Sequence, residues 1–503
     1  MARKKIRLQY SGFVIFLAKL LSVGTGLLFQ FMIARSIPDY SPEYGIWFNI
    51  NDVLAYFTLL AGVVPFWVMR YVSREKEGAG KTGFATNLLI SIISTAIYFA
   101  LAPFILSALG ITPNYLILYL VVSIQIIELY IMSTFESCLQ ACAPQKIGYG
   151  AIIQHATKVT LGYLLIIQLG QPLMGAVVST SIAIAIQVSY YYTLLANDLK
   201  QRIQWSYVKD WLKASIANIY NVIGNQISAF VFIMLFSYGG AGGREIYGAA
   251  MQIAGVITYS GFLAFALYPK LLAEKKSEDI TTSLKTVLMF AVPMTVGAIV
   301  LANSYIVLLR EQLLENYPGA TAVLVVLAFD AFITVLSGIY GSVLFGVETV
   351  DQEKMSFRAL VKSKLFVFFS FPFIHSAITI PTTYYALTTY ALGQPLQAAL
   401  SVCVINTIVR FAMFILLLII VRQMVKIAVP WKNLLKYAFA SAVMGVVLFL
   451  LPYTNRISMT LAWTAVGGIV YLAVLMAIDK EARSLPKAIL QEMRERIQPV
   501  RVH

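Results

Sequence analysis

Charge is scarce in this sequence: only 12 % of its 503 residues are charged, whereas 59 % are hydrophobic. Soluble domains carry about 25 % charged residues, so a soluble chain of this composition could not cover its apolar surface. The apolar residues occur in blocks of about 20 or more rather than in alternation, which argues against an outer-membrane β-barrel. The sequence therefore predicts an all-α, polytopic membrane protein and excludes a soluble enzyme.

Cysteine is nearly absent, because the chain contains only Cys138, Cys142 and Cys403. Two of them form the single motif CLQAC with no second pair, so neither a metal site nor a disulfide framework follows. The loops are short and carry no paired catalytic carboxylates. We therefore predict no catalytic residues, no metal and no cofactor, and we do not expect an enzyme.

The cations that are present are unevenly distributed along the chain. When the apolar blocks are interpreted as about fourteen transmembrane helices with the N-terminus inside, 31 Lys and Arg residues fall on the inner side. Only 4 fall outside, namely Arg35, Arg244, Arg310 and Arg456. This asymmetry predicts a multi-pass protein of the inner (plasma) membrane with both termini cytoplasmic. The net charge of +15 then reflects topology and attraction to membrane lipids, and no nucleic-acid partner is expected.

An internal repeat is visible in two turns on the outer side. Residues 43–45 read Glu-Tyr-Gly, and residues 245–248 read Glu-Ile-Tyr-Gly, with the Tyr-Gly pairs 203 positions apart. Each pair opens a span that ends in a basic inner loop. The offset corresponds to six helices, so both repeats enter from the same side and are parallel, related by an axis along the membrane normal.

The repeat predicts five segments along the chain. A six-helix bundle spans 1–195, a cytoplasmic linker spans 196–213, and a second six-helix bundle spans 214–421. An additional helix pair spans 422–478, and a cytoplasmic amphipathic tail spans 479–503. The two parallel six-helix repeats are expected to surround a central cleft, with the two C-terminal helices added outside it.

Polar residues within the spans are the candidate site, because an ionisable group at membrane depth is costly and usually faces a cavity or a partner. The candidate substrate-binding residues of the cleft are three cations and four amides: Lys19, Lys158, Arg410, Gln30, Asn218, Asn221 and Asn225. The carboxylates that could couple transport to H⁺ or Na⁺ are Asp52, Glu128 and Asp330.

Structural roles remain open for several of these residues. Glu128 and Lys158 share a depth on nearby helices and could simply pair, as could Asp330 and Arg410, although the latter two differ in depth by several Å. Because of that difference Asp330 is our preferred coupling residue. The Asn side chains could equally hold helices together.

Three stretches carry a resemblance to a known family. The stretch ARSIPDYSPEYGIW at 34–47 is similar to the turn after the first helix in the polysaccharide-transporter branch of the multidrug/oligosaccharidyl-lipid/polysaccharide flippase superfamily, the MATE-like superfamily. The matching positions are Ala34, Arg35, Pro42, Tyr44 and Gly45, although the family's Leu-Gly pair is missing and residues are inserted. Residues 63–76 and 263–276 resemble the ends of the second and eighth helices of that family.

The resemblance implies a flippase of the O-antigen type. Such a protein moves a polyprenyl-(di)phosphate-linked oligosaccharide from the inner to the outer leaflet by alternating access, through a cationic cavity, during cell-surface polysaccharide assembly. Glycosyltransferases or a polymerase of the same pathway would be its protein partners. A cation-coupled multidrug exporter of the same superfamily and a peptidoglycan-precursor lipid flippase are the alternatives. Three deep cations and about fourteen helices favour the lipid-linked oligosaccharide flippase. A multidrug exporter would need only twelve helices and would be expected to have an acidic or aromatic cavity.

Overall fold

The computed structural model describes residues 8–38, 41–264, 277–347, 364–452, 454–480 and 482–483. Of the described residues, 87 % are helical and none lies in a strand. The prediction of an all-α fold is thereby confirmed. Helices dominate because buried backbone groups in a membrane must be hydrogen-bonded within their own segment.

The first part of the described chain contains eleven α-helices. They are α1 Leu8–Ser36, α2 Glu43–Phe57, α3 Val63–Ser73, α4 Ala79–Ala108, α5 Leu116–Val122, α6 Ile124–Cys142, α7 Gln145–Gly162, α8 Pro172–Leu195, α9 Trp205–Ala214, α10 Ile216–Ser228 and α11 Phe230–Thr258.

The remaining described residues add eight helices. They are α12 Ser277–Val300, α13 Ala302–Leu309, α14 Gln312–Asn316, α15 Ala320–Val347, α16 Lys364–Thr389, α17 Pro395–Arg422, α18 Trp431–Leu450 and α19 Ile457–Ile478.

Many of these helices are long and apolar enough to cross a bilayer. The described residues contain 11 such spans, or 12 if α2 and α3, which meet at a bend of 54°, count as one. One of the 11 is a stretch of 43 residues, Ile219–Gly261, which is long enough to cross twice. Together with the 29 residues of α1, these numbers are compatible with the expected count of about fourteen spans in a multi-pass membrane protein.

The long stretch is broken at Gly240, inside α11. Its backbone angles, φ 70° and ψ −179°, lie in a region that only glycine adopts readily. The Gly-rich sequence around it predicts an outer turn of several residues. The structure confines the break to this one glycine and keeps the flanking residues helical.

The chain divides into two compact units. Unit 1 comprises residues 1–248 and 366–405, and unit 2 comprises residues 249–365 and 406–503. The six-helix boundaries drawn from the repeat remain a prediction. Of the expected amphipathic tail at 479–503, residues 481 and 484–503 lie outside the described residues.

A core of unit 1 is built where α3, α6, α8 and α9 meet. Its fully buried members include Val68 from α3, Phe135 and Leu139 from α6, Tyr191 from α8 and Trp211 from α9. Because these apolar side chains bury their surface against one another and away from water, α9 is fixed onto the bundle.

In unit 2, the C-terminal hairpin of α18 and α19 packs on α12. The Tyr471 hydroxyl donates to the Met289 carbonyl at 2.5 Å. A Cβ at Gly445 would lie 3.1 Å from Val296 Cγ1, so α18 approaches α12 closely at that glycine. Within unit 2, α18 and α19 are therefore held against α12 by both packing and a hydrogen bond.

Candidate functional site

Lys158 lies on α7 against α1, within a candidate membrane span. Its ammonium nitrogen is 4.9 Å from the centroid of the Phe29 ring. Gly162, one turn further along α7, leaves room for that ring, since a Cβ there would lie 2.7 Å from Phe29 Cε2. Among the described residues no ion pair involves Lys158. This cation therefore rests on an aromatic face and has no described counterion.

Glu128, on α6, is the carboxylate whose pairing with Lys158 the sequence left open. No ion pair joins the two in the described part of the chain. Oxygen Oε2 of Glu128 is buried and has no hydrogen-bond partner there. A buried carboxylate oxygen without a donor is costly, so this position calls for a proton or a cation.

Two predicted cavity residues lie on α1. The side chain of Lys19 is outside the described residues, and only its backbone, within the helix, is known. Gln30 is described, and its Oε1 accepts a hydrogen bond from Trp47 Nε1 at 3.2 Å. This contact ties α1 to α2, so part of the hydrogen-bonding capacity of Gln30 is already used.

The three candidate asparagines, Asn218, Asn221 and Asn225, lie on α10. Asn225 is exposed, and its Nδ2 donates to the Asn221 carbonyl at 2.9 Å and lies 3.4 Å from Asn221 Oδ1. Both contacts are within the helix, so neither holds two helices together. The side chain of Asn218 is outside the described residues.

Asp52, on α2, forms a bidentate ion pair with Arg244 of α11. Nε of Arg244 is 2.6 Å from Oδ2, and Nη2 is 2.9 Å from Oδ1. The sequence assigned Arg244 to an outer loop and missed this pair. The signal available was its position beside the second Glu-x-Tyr-Gly segment, the counterpart of the first segment near Asp52.

The surroundings of Arg244 are aromatic. Its guanidinium carbon is 4.9 Å from the Phe48 ring centroid and 5.1 Å from that of Phe232, and the residue is only 4 % exposed. Nη1 has no hydrogen-bond partner among the described residues. The pair is therefore largely desolvated, so each charge is stabilised mainly by its partner and would be left uncompensated if that partner were removed.

The two repeat segments that carry Tyr-Gly lie against each other within unit 1. A Cβ at Gly45 would overlap the carbonyl of Ala241, and a Cβ at Gly248 would overlap the Phe48 ring. Only glycine permits this approach. The repeated glycines thus mark a close contact between α2 and the second half of α11.

In unit 2, Arg410 of α17 pairs with Asp330 of α15. Nη1 of Arg410 is 3.0 Å from Oδ2 of Asp330 and donates to Thr334 Oγ1 at 2.7 Å. The depth difference that made Asp330 our preferred coupling residue does not separate it from this cation. Depth along straight helix axes ignores the length of an arginine side chain.

These contacts divide the candidate residues into two groups. Asp52 and Asp330 are each neutralised by an arginine, whereas Lys158 and Glu128 have no ion-pair partner among the described residues. Within the same residues, no three His, Cys, Asp or Glu side chains converge as metal ligands would. The arrangement offers an uncompensated cation and an uncompensated carboxylate inside the spans of unit 1.

No protein-family model matches the sequence, and no curated protein matches it. The fold, however, is that of the MATE and MurJ transporters of the MOP superfamily. The lipid II flippase MurJ in an inward closed conformation is similar with a TM-score of 0.63 and 18 % identity, over 92 % of this chain and 98 % of that one.

Two further solved structures share the fold. An inward-facing multidrug resistance MATE family transporter matches with a TM-score of 0.56 and 13 % identity, over 80 % of this chain and 95 % of that one. A MOP superfamily transporter from Pyrococcus furiosus matches with a TM-score of 0.52 and 14 % identity, over 82 % and 95 %. At these identities the likeness establishes the fold, and function requires a separate argument.

Proposed function

We propose that this chain is a membrane flippase that moves a polyprenyl-(di)phosphate-linked oligosaccharide from the inner to the outer leaflet by alternating access. The observation that carries the proposal is the Lys158 ammonium, which lies within a candidate span without a described counterion. A diphosphate cannot cross about 30 Å of hydrocarbon unpaired. A cation that is not already neutralised can replace its hydration with charge-assisted hydrogen bonds.

The aromatic partner of Lys158 does not cancel that capacity. A cation–π contact is worth about 0.5–2 kcal/mol and leaves the three N–H donors of the ammonium able to turn toward an anion. Arg410 differs, because Asp330 already neutralises it. Lys19 and Arg410 remain proposed cavity cations, and Lys158 now takes the first place among them.

The test is a flipping assay in proteoliposomes loaded with a fluorescent polyprenyl-diphosphate oligosaccharide. We expect Lys158→Gln to slow flipping at least tenfold, about the loss of one charge-assisted contact. The matched control is Lys146→Gln on the same helix, whose ammonium also lies over a ring, 5.5 Å from the centroid of Tyr149, near the helix start. Equal rates for wild type and Lys158→Gln would remove the cationic-site argument.

A cation-coupled multidrug exporter is the second candidate. The unpartnered Oε2 of Glu128 favours it, since a buried carboxylate can bind a cationic drug or a coupling proton. The multidrug resistance transporter that shares the fold supports it also. The same proteoliposomes separate the two functions: a flippase moves the lipid-linked glycan and not a cationic dye, and an exporter does the reverse.

A peptidoglycan-precursor flippase is the close alternative within the first class, supported by the fold shared with the lipid II flippase. Both substrates present a polyprenyl diphosphate, so Lys158 serves either one. Competition between the labelled oligosaccharide and unlabelled lipid II distinguishes them. If lipid II displaces the label at equal concentration, the peptide-bearing precursor becomes the better substrate assignment.

We further propose an inner (plasma) membrane location with both termini cytoplasmic. The 31-to-4 split of cations supports this orientation. Reporter fusions at residues 240 and 500 should report outside and inside respectively, and identical readings would contradict it. H⁺ or Na⁺ is the proposed coupling ion, and glycosyltransferases or a polymerase of the same pathway are the proposed partners.

A further inference from the structure

The segment predicted as a linker contains a helix that is firmly docked on unit 1. Trp211 of α9 is 1 % exposed and lies 5.4 Å, centroid to centroid, from Tyr71 of α3 in an edge-to-face contact. Ser215, at the end of α9, accepts a hydrogen bond from Trp67 Nε1 at 2.7 Å. One face of α9 is therefore part of the core of unit 1.

The residues before α9 are held by the loop between α3 and α4 and by the first turn of α4. Gly78 has a left-handed backbone with φ 74°, and its N–H donates to Gln201 Oε1 at 2.6 Å. The N–H of Gln204 donates to Thr82 Oγ1 at 2.8 Å. These bonds fix the direction in which α9 leaves the bundle, so its second face has a defined orientation.

That second face is apolar and cationic, and it is exposed. Trp205 is 58 % exposed and Leu212 is 51 % exposed. Lys209, also exposed, lies between them at helical spacings of 4 and 3, so the three share one side of the helix. Exposed charges also flank this face: Asp198, Lys200 and Arg202 precede the helix, and Asp210 lies about 100° around the helix from Lys209.

We propose that this face of α9 binds the surface of a bilayer containing anionic phospholipids. Trp205 and Leu212 enter the boundary between headgroups and acyl chains, and Arg202 and Lys209 contact anionic headgroups. Charge complementarity selects this occupant, because a large apolar side chain flanked by cations fits a negatively charged interface better than water or an apolar protein surface. The leaflet is the inner one if the proposed orientation holds.

The experiment uses the full chain in nanodiscs of equal amounts of phosphatidylglycerol and phosphatidylcholine, with bromine on the acyl chains of one lipid or the other. Bromine quenches nearby tryptophan. The contribution of Trp205 is the difference between the intact chain and Trp205→Phe. We expect this contribution to be quenched more strongly when bromine is on phosphatidylglycerol.

The double variant Arg202→Gln/Lys209→Gln should abolish that preference. Each cation removed should lower the local enrichment of phosphatidylglycerol about fivefold. Lys146→Gln, on another helix of unit 1, should leave it unchanged. No quenching of Trp205 by either lipid would mean that water or a protein partner covers α9, and would overturn the proposal. Equal quenching by both lipids in the intact chain would also overturn it. Because no transport is measured, neither outcome depends on the flippase proposal.

Discussion

Arg244 and Asp52 form a two-point ion pair, Nε to Oδ2 at 2.6 Å and Nη2 to Oδ1 at 2.9 Å, across 192 positions of sequence. The pair joins α2 to α11, the helices that carry the two matching Tyr-Gly segments. Bidentate pairs of this kind are directional as well as strong. Within unit 1, the pair therefore fixes the rotation of one repeat segment against the other.

Asp52→Asn should strongly destabilise the fold. The substitution keeps the shape of the side chain and leaves Arg244, which is 4 % exposed, with an uncompensated charge. Breaking a buried pair in this way costs about 3–5 kcal/mol. The measurement is unfolding by SDS titration in mixed micelles.

The double variant Asp52→Leu/Arg244→Met should recover most of that loss, because no unpaired charge remains. Arg456→Gln, at an exposed residue, is the control and should change stability by less than about 0.5 kcal/mol. A stable Asp52→Asn would show that the pair is not structural and would return Asp52 to the coupling candidates.

The sequence was sufficient for the helical class, because hydropathy is a local property, and it located the two Tyr-Gly segments, although their close approach is visible only in the structure. It could not supply the partner of Arg244. The Gly-rich residues 239–243 are typical of a loop, and a loop cation is counted as solvent-exposed. The structure keeps these residues helical on both sides of Gly240, which places Arg244 on a buried helix face.

Depth alone was similarly insufficient for the deep pairs. Glu128 and Lys158 have equal depth, yet contact also requires that both helices turn those residues toward each other, and depth says nothing about rotation. Asp330 and Arg410 have unequal depth, yet the reach of arginine closes the gap to 3.0 Å. Rotation and side-chain reach are tertiary properties that a hydropathy pattern does not contain.

Gly248→Ala should be destabilising although alanine is the better helix former. The new methyl group would overlap the Phe48 ring, so α2 and α11 would have to separate. Gly255→Ala on the same helix is the matched control, since no atom lies within 4 Å of its added Cβ. We expect a loss of about 1–3 kcal/mol for the first and a gain of up to about 1 kcal/mol for the second. Equal effects would show that the contact does not constrain the helix.

Asp330→Asn should cost less than Asp52→Asn. The Arg410 side chain is 39 % exposed, whereas that of Arg244 is 5 % exposed, so water in the proposed cavity would solvate the guanidinium that Asp330 leaves behind. Arg410 also keeps its hydrogen bond to Thr334. We expect about 1–2 kcal/mol, between the values for exposed and buried pairs, in the same SDS titration. A loss as large as that of Asp52→Asn would contradict this ordering.

Glu128→Gln should uncouple transport from a proton gradient while leaving the fold intact or more stable. Oε2 of Glu128 is buried without a described donor, so a neutral amide is cheaper to bury there than an ionised carboxylate. The same absence of an ion-pair partner among the described residues distinguishes Glu128 from Asp330, which is paired with Arg410 at 3.0 Å. Flipping is measured in proteoliposomes with an imposed pH gradient, a sodium gradient or neither. We expect Glu128→Gln to flip at the gradient-free rate in all three conditions, with Asp330→Asn still accelerated by the gradient that drives the wild type. If instead Asp330→Asn loses the acceleration and Glu128→Gln keeps it, the coupling residue is Asp330, and the ion pair with Arg410 must open during transport.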